Sequence, residues 1–421
     1  MVDYDFDYIK DKFISYCKMN TRSYETNNDV PTSPGQVALL KELEQELKRL
    51  GLTEISYSDK DAYVVGKIPA NISNPPAPIG FVAHVDTADF NAENIRPQIH
   101  ENYDGKDIEL GHGYTLSSAE FPSLKKVIGH TLITASGDTL LGADDKAGIA
   151  GLLGMTKYLQ ENTSIDHGDI WIAFGPDEEI GKGAARFDVS RFPVEFAYTL
   201  DNGDPGDIAY ETFNAASAKV KFRGTVVHPG EAYGLMVNAA LLANEFISGL
   251  PKDFVPEKSK DYQGYILVLK NNGNVDHAEV DLIIRDFDTD HFLAMKELVT
   301  NLVKQLNEKY GDRVELEMHD QYRSPGDLIK KNPYIVNLVH HAYEKMGLSI
   351  HHIPFRGGTD GDFISEKGIP TPNLFNGGAN FHGRYEYATV ENMILLAQTL
   401  TTIVTEHVKL DQNRDETPLK R

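Results

Sequence analysis

Ile170-Trp171-Ile172-Ala173-Phe174-Gly175-Pro176-Asp177-Glu178-Glu179-Ile180-Gly181-Lys182-Gly183 is the stretch on which the reading of this chain turns. Its first five residues are apolar without a polar break, the pattern of a strand covered on both faces in a parallel sheet. Two adjacent glutamates follow. Neighbouring side chains at the end of a strand point in different directions. One can therefore bind a metal while the other handles protons.

The same theme recurs on either side. His84-Val85-Asp86-Thr87 follows the apolar run Ile79 to Ala83, Gly142-Ala143-Asp144-Asp145-Lys146 follows Thr139 to Leu141, and Tyr198-Thr199-Leu200-Asp201 follows Glu195 to Ala197. Asn380-Phe381-His382-Gly383 adds a late histidine. A lone acidic strand end is usually a helix cap or a solvated turn. Four in order, with the histidine, point to a metal-dependent hydrolase. The candidate ligands are His84, Asp144, Glu179, Asp201 and His382. Two imidazoles and three carboxylates suffice for two divalent ions about 3.5–4 Å apart if Asp144 bridges them. Each ligand lies where α/β folds place their sites, at the end of a strand.

Bulk properties narrow the partners. The chain has 421 residues, long enough for two domains, and 63 acidic against 41 basic groups give it a formal charge of −22. That balance argues against nucleic acid or anionic membranes as partners. No apolar stretch approaches the roughly 20 residues of a membrane span. The single cysteine, Cys17, excludes an internal disulfide and reads as a packed thiol on an N-terminal helix. The acidic start Met1-Val2-Asp3-Tyr4-Asp5-Phe6-Asp7 has no basic or apolar signal region. A cytoplasmic location is the expectation.

Along the chain, the first ~200 residues alternate helical periodicity with short apolar strands, which predicts an α/β fold with a mostly parallel sheet and helices on both faces. Helices are expected over Gly35 to Leu50, Asp145 to Gln160 and Pro333 to Met346, and strands near Asp61 to Lys67, Ile79 to His84 and Pro372 to Phe375. Between them the texture changes. Ser217 to Arg223, Ala278 to Arg285 and Arg313 to Met318 alternate polar and apolar, as antiparallel strands with one wet face do. Helices over Leu235 to Leu250 and Thr289 to Tyr310 separate them. The predicted organisation is a discontinuous α/β catalytic domain, 1–208 and 322–421, with an inserted α+β lid or dimerisation-type domain, 209–321.

The strings HVDT, GADDKAG, PDEEIGKG, YTLD and NFHG, with Val227-His228-Pro229-Gly230 and Phe355-Arg356-Gly357-Gly358-Thr359-Asp360-Gly361, resemble the co-catalytic dizinc aminopeptidase, deacylase and carboxypeptidase G-like metallopeptidase family. The likeness covers nearly the whole chain and is nearest to its tripeptide aminopeptidase branch. It implies a dizinc exopeptidase-like fold and two Zn²⁺ per subunit. His84 and Asp201 would bind one ion, Glu179 and His382 the other, and Asp144 both, with a cis peptide to Asp145. Asp86 would orient the His84 ring, and Glu178 would be the general base. His228 would reach over the site, from its own or a partner subunit, to the reacting oxygen; its own surroundings also suit a plain turn histidine. Arg356 beside glycines looks like a clamp for a substrate carboxylate, and equally like a structural ion pair.

The implied activity is hydrolysis of the N-terminal peptide bond of tripeptides, with a homodimer through the insert. Alternatives are a dipeptidase, a carboxypeptidase or an N-acyl amino-acid deacylase with the same chemistry, or a non-catalytic metal-bound binding protein. Manganese or cobalt would fit the same donors as zinc. His340-His341, His351-His352 (placed just before a short strand), His112, His130, His167, His277 and His291 carry no assigned role.

Overall fold

The computed structural model describes residues 3–419. Its chain divides into two compact units: Met1–Tyr210, Pro325–Ile353 and Thr359–Arg421 form one, Glu211–Ser324 and Pro354–Gly358 the other. The insert thus runs from 211 to 324 rather than from 209 to 321, and a later stretch that the sequence reading left in the catalytic domain joins it. Backbone pairing explains the return. Phe355 N donates to Glu211 O at 3.1 Å, and Phe213 N donates to Gly357 O at 3.3 Å. Five residues are too few to show a periodic pattern, so nothing in the sequence assigned this segment to the insert.

The first unit is built on an eight-stranded sheet in the order Thr53–Tyr57, Val64–Ile68, Ile170–Gly175, Ile79–His84, Phe196–Asn202, Asn373–Phe375, Asp207–Ala209, His351–His352. The four central strands, from Ile170–Gly175 to Asn373–Phe375, run parallel. Outward from these, Val64–Ile68 and Asp207–Ala209 pair antiparallel with their inner neighbours. His351 and His352 form the last edge strand themselves instead of preceding one. Ile79–His84 and Ile170–Gly175 are buried at every position, as strands covered on both faces must be. Phe81, Ile172 and Phe174 pack into one apolar cluster. Val82, Trp171 and Ala173 pack into another on the opposite face.

Helix Ala143–Glu161 dominates the larger cluster, with Ile149, Leu152, Leu153 and Met155 fully buried. Burying each such side chain contributes about 1.5–3 kcal/mol. Its glycines allow close packing: a Cβ on Gly151 would stand 2.6 Å from Leu396, and one on Gly154 2.6 Å from Ile9. Leu396 belongs to helix Val390–Leu410 and Ile9 to helix Phe6–Cys17, whose last residue, Cys17, is fully buried.

A second, antiparallel sheet in this unit orders Gly378–Ala379, Tyr387–Thr389, Leu132–Thr134 and Gln98–His100. These strands have only two or three residues each, too short for an alternation to be read from sequence. Tyr387 pairs with Thr134 and Ala388 with Ile133. The loop carrying His382 therefore ends on a strand adjacent to the one from which the segment leading to Asp144 departs.

In the second unit all strands are antiparallel, in the order Tyr265–Gly273, His277–Asp286, Asn214–Arg223, Val314–Tyr322. Val220 and Phe222 face its core with Phe246 and Val299 of the helices Ala239–Ser248 and Thr289–Tyr310. Lys219 and Lys221 project from the other face to Glu279 and Glu317. This is an α+β unit. Among the described residues no helix of the chain is long and apolar enough to cross a membrane.

Candidate metal centre

Three adjacent strands deliver the first groups. His84 ends its strand, Asp201 lies near the end of Phe196–Asn202, and Glu178 and Glu179 occupy a single 3-10 turn just past Ile170–Gly175. The turn is bounded by Asp177 and Gly181, both in the left-handed region at φ 56° and 64°. Asp177 adopts that conformation because its carboxylate is held from the side, accepting from Thr32 N and Oγ1 and from Gln36 Nε2. Asp144 arrives differently from the expectation. Thr139 to Leu141 is not a strand, and Asp144 stands at the head of helix Ala143–Glu161 with extended backbone (φ −83°, ψ 107°) and a cis peptide to Asp145. His382 lies in the loop before Tyr387–Thr389 at φ 66°.

The five groups converge. Asp144 Oδ1 lies 3.1 Å from His84 Nε2, and Asp144 Oδ2 lies 3.1 Å from His382 Nε2. One carboxylate thus faces both imidazoles, one oxygen each. His84 Nε2 is also 3.8 Å from Asp201 Oδ1, and His382 Nε2 is 3.0 Å from Glu179 Oε2. Donor atoms of His84, Glu178 and Asp201 lie within 4.8 Å of one another, as do those of His84, Asp144 and Glu179. The two adjacent glutamates face different halves of the cluster.

Charge explains why cations suit it. Burial, and then the charge of Asp201, push Glu178 well above the usual carboxylate range. Burial and Asp144 raise both Glu179 and Asp201. Asp144 moves the opposite way: burial opposes its charge, but hydrogen bonds from His382 and His84 hold it far below the ordinary value. Burial likewise works against a charged His84, yet contacts with Asp144, Asp201 and Asp86 raise it. Asp144 and Glu179 bring His382 up to about 11. Without metal, protons must be shared among crowded carboxylates, and divalent ions would take their place. Glu179 Oε1 and His84 Nδ1 are buried without a hydrogen-bond partner. Oxygen and imidazole donors fit zinc, manganese or cobalt.

Asp86 does more than sequence suggested. Its Oδ1 is 3.4 Å from His84 Nδ1, close enough to set the ring by charge though not aligned as a hydrogen bond. The same carboxylate accepts the backbone N–H of Glu178 at 3.0 Å and of Glu179 at 3.1 Å. Sequence reasoning missed three further supports. Asn373 brackets the backbone of Asp201, accepting its N–H at 2.8 Å and donating to its carbonyl at 2.7 Å. Asn376 donates to Asp145 Oδ1 at 3.2 Å. Glu386 accepts N–H groups of Leu141, Gly142 and Asp144. Burial lifts Glu386 to about 7 even though those N–H groups favour its charge. An acid four residues beyond His382 was the only signal, and a weak one.

His228 and Arg356 belong to the second unit. His228 is exposed and caps a 3-10 turn, its Nδ1 accepting from Gly230 N at 3.1 Å. Arg356 is held by two carbonyls and a hydroxyl. Its Nη1 donates to the carbonyls of Asp261 and Gln263, both at 2.8 Å, and its Nη2 to Ser259 Oγ at 2.6 Å. The guanidinium lies over Phe213 and Tyr265.

Known proteins resemble nearly the whole chain. The sequence profile of peptidase family M20/M25/M40 matches residues 140–406. Peptidase T of Fusobacterium nucleatum is 48% identical over 409 residues, covering 96% of this chain and 98% of that protein. Peptidase T of Shouchella clausii is 49% identical over 387 residues, covering 91% and 94%. Among solved structures, the fold is similar to that of the aminopeptidase PepT from Bacillus cereus, with a TM-score of 0.76 at 22% identity, covering 96% of this chain and 99% of that one. It is also similar to a dinuclear metal binding peptidase from Bacillus subtilis, with a TM-score of 0.66 at 14% identity over 96% and 99%. With likeness of this extent at both levels, the chain belongs to peptidase family M20/M25/M40.

Proposed function

We propose that the chain is a metallo-aminopeptidase that hydrolyses the N-terminal peptide bond of tripeptides and works with two zinc ions per subunit. The observation that carries the reading is Asp144, which presents one oxygen to His84 and the other to His382. A carboxylate in that pose suits a bridge, with Asp201 completing one side and Glu179 the other. The likeness to peptidase T relatives supports the substrate class.

When bound, the pair of ions would acidify a water and polarise the scissile carbonyl. Glu178 does the proton work. It lies with His84 and Asp201 in the cluster, where a carboxylate can take up a proton and pass it on. It accepts the proton of the attacking water as the water oxygen bonds to the carbonyl carbon. It then gives that proton to the departing amine nitrogen as the C–N bond breaks. Asp86 keeps Glu178 in place through its backbone N–H. His228 donates to the developing oxyanion, and Arg356 takes the C-terminal carboxylate with its Nε–H and remaining Nη2–H.

A cytoplasmic location and a homodimer through the second unit complete the proposal. Within that unit Val226, Tyr233, Leu235 and Leu241 are exposed, an apolar surface on which a second copy could dock; light scattering of L241E against wild type would test it.

The deciding experiment titrates metal-stripped protein with Zn²⁺ while following a free tripeptide, its N-acetylated form, a dipeptide and a tetrapeptide, beside Glu178→Ala. Metal-restored cleavage of the free tripeptide alone, absent in E178A with metal uptake intact, is the expected result. Preference for the acetylated peptide would move the protein among the deacylases. Tight binding of two ions with no cleavage would make it a binding protein.

A further inference from the structure

The geometry points to Glu386 as a positioning residue for the metal centre, one that sets the pose of Asp144 without touching substrate or ion. Its side chain is almost fully buried. Oε2 accepts the N–H of Leu141 at 2.8 Å and of Gly142 at 2.6 Å, while Oε1 accepts the N–H of Asp144 at 3.1 Å. Three donors from one short segment therefore converge on a single carboxylate.

Helix Ala143–Glu161 begins at Gly142, which is in the left-handed conformation (φ 82°) and has no side chain to cap the first turn. Asp144 and Asp145 also have non-helical backbone angles, so the N–H groups of Leu141, Gly142 and Asp144 precede the regular helix and need acceptors from elsewhere. Glu386, distant in sequence, supplies them. Lys146, whose ammonium is buried and lies 3.4 Å from Met19 O, is the nearby countercharge. A Cβ on Gly142 would meet the Lys146 Nζ at 3.0 Å and Thr87 Cγ2 at 3.1 Å, so the loop can take no other residue there without shifting.

The consequence concerns Asp144. With its N–H fixed by Oε1 of Glu386, its carboxylate is aimed so that each oxygen meets one imidazole. If that grip is released, the segment can rotate, and one oxygen leaves its partner. The second ion should then suffer more than the first, because a single oxygen still serves one side.

Glu386→Gln is the discriminating variant. A glutamine keeps size and shape but has one acceptor oxygen; its NH₂ group must face either the Asp144 N–H or the pair from Leu141 and Gly142, donor against donor. The inference rests on the two-ion reading, so wild type is titrated in parallel. Zn²⁺ binding to metal-stripped full-length protein is measured by chelator competition, and visible absorption is recorded with Co²⁺. The expected result for E386Q is a second-ion affinity weaker by about 10–100-fold, the range for groups that orient ligands, with shifted Co²⁺ bands. Wild-type affinity and an unchanged Co²⁺ spectrum in a folded E386Q would overturn the assignment. Should E386Q not fold, Glu386→Asp, which keeps both oxygens but falls short of the segment by a methylene, is read in the same way. If both fail to fold, Glu386 is a structural residue only and the assignment is overturned. A wild-type protein that takes up fewer than two ions would instead defeat the two-ion reading itself.

Discussion

Asp86 accepts the backbone N–H of Glu178 at 3.0 Å while its carboxylate stands 3.4 Å from the ring of His84. One side chain thus ties the turn that carries the proposed base to the strand that carries a proposed ligand. Asp86→Ala should cut both ties while leaving the sheet intact. Metal affinity and kcat should each fall by about 10–100-fold. Unchanged kcat in D86A protein of normal metal content would show that Asp86 only packs.

Asp144→Asn tests the shared oxygen pair. An amide keeps the size of the side chain and one acceptor oxygen, but its NH₂ cannot bind an ion. Elemental analysis after dialysis against Zn²⁺ should find about one ion fewer than wild type, with peptidase activity abolished. Retention of full metal content would rule out bridging.

Arg356 separates two roles by one measurement. Arg356→Ala removes donors to Asp261 O, Gln263 O and Ser259 Oγ and the stacking over Phe213 and Tyr265. A purely structural role predicts a stability loss of about 1–3 kcal/mol and faster hydrogen exchange over residues 259–265, with KM unchanged. The substrate-clamp role predicts instead a raised KM for the free tripeptide and a smaller rise for its C-terminal amide. We expect both the stability loss and the KM effect, since two of the five guanidinium N–H groups, Nε–H and one on Nη2, lie outside those contacts.

Glu46 gives a pH dependence remote from the metal centre. Burial opposes its charge, yet hydrogen bonds from Lys12, Tyr8 and Arg49 hold its pKa below the usual 4.5. Because the folded value lies below the unfolded one, the group stabilises the fold above the ordinary carboxylate pKa, and that stabilisation disappears as pH falls through the folded value. Glu46→Gln should therefore show its full stability deficit at neutral pH, and the deficit should shrink as pH falls through the folded value. Urea midpoints of both proteins across an acid series check this; a deficit that stays constant into strong acid would mean that packing, not charge, is responsible.

The sequence alone determined the kind of chemistry, because ligand-bearing side chains are scarce and their placement after apolar strands leaves a visible order. His84, Asp144, Glu179, Asp201 and His382 could each be named from that order, as could the parallel core strands and the alternating strands of the second unit. Side-chain identity and periodicity are local properties, written residue by residue. Tertiary structure alone decided what holds those groups. Glu386, Asn373 and the second function of Asp86 act on backbone N–H and carbonyl groups, which every residue carries and no motif records. The strands that bring residues 132–134 beside 387–389 are too short to show a period. Arg356 looked like a group awaiting an anion, and only the fold shows it engaged with carbonyls of its own unit. Asp144 was expected at a strand end and stands instead at a helix head, where a carboxylate from far along the chain fixes its position.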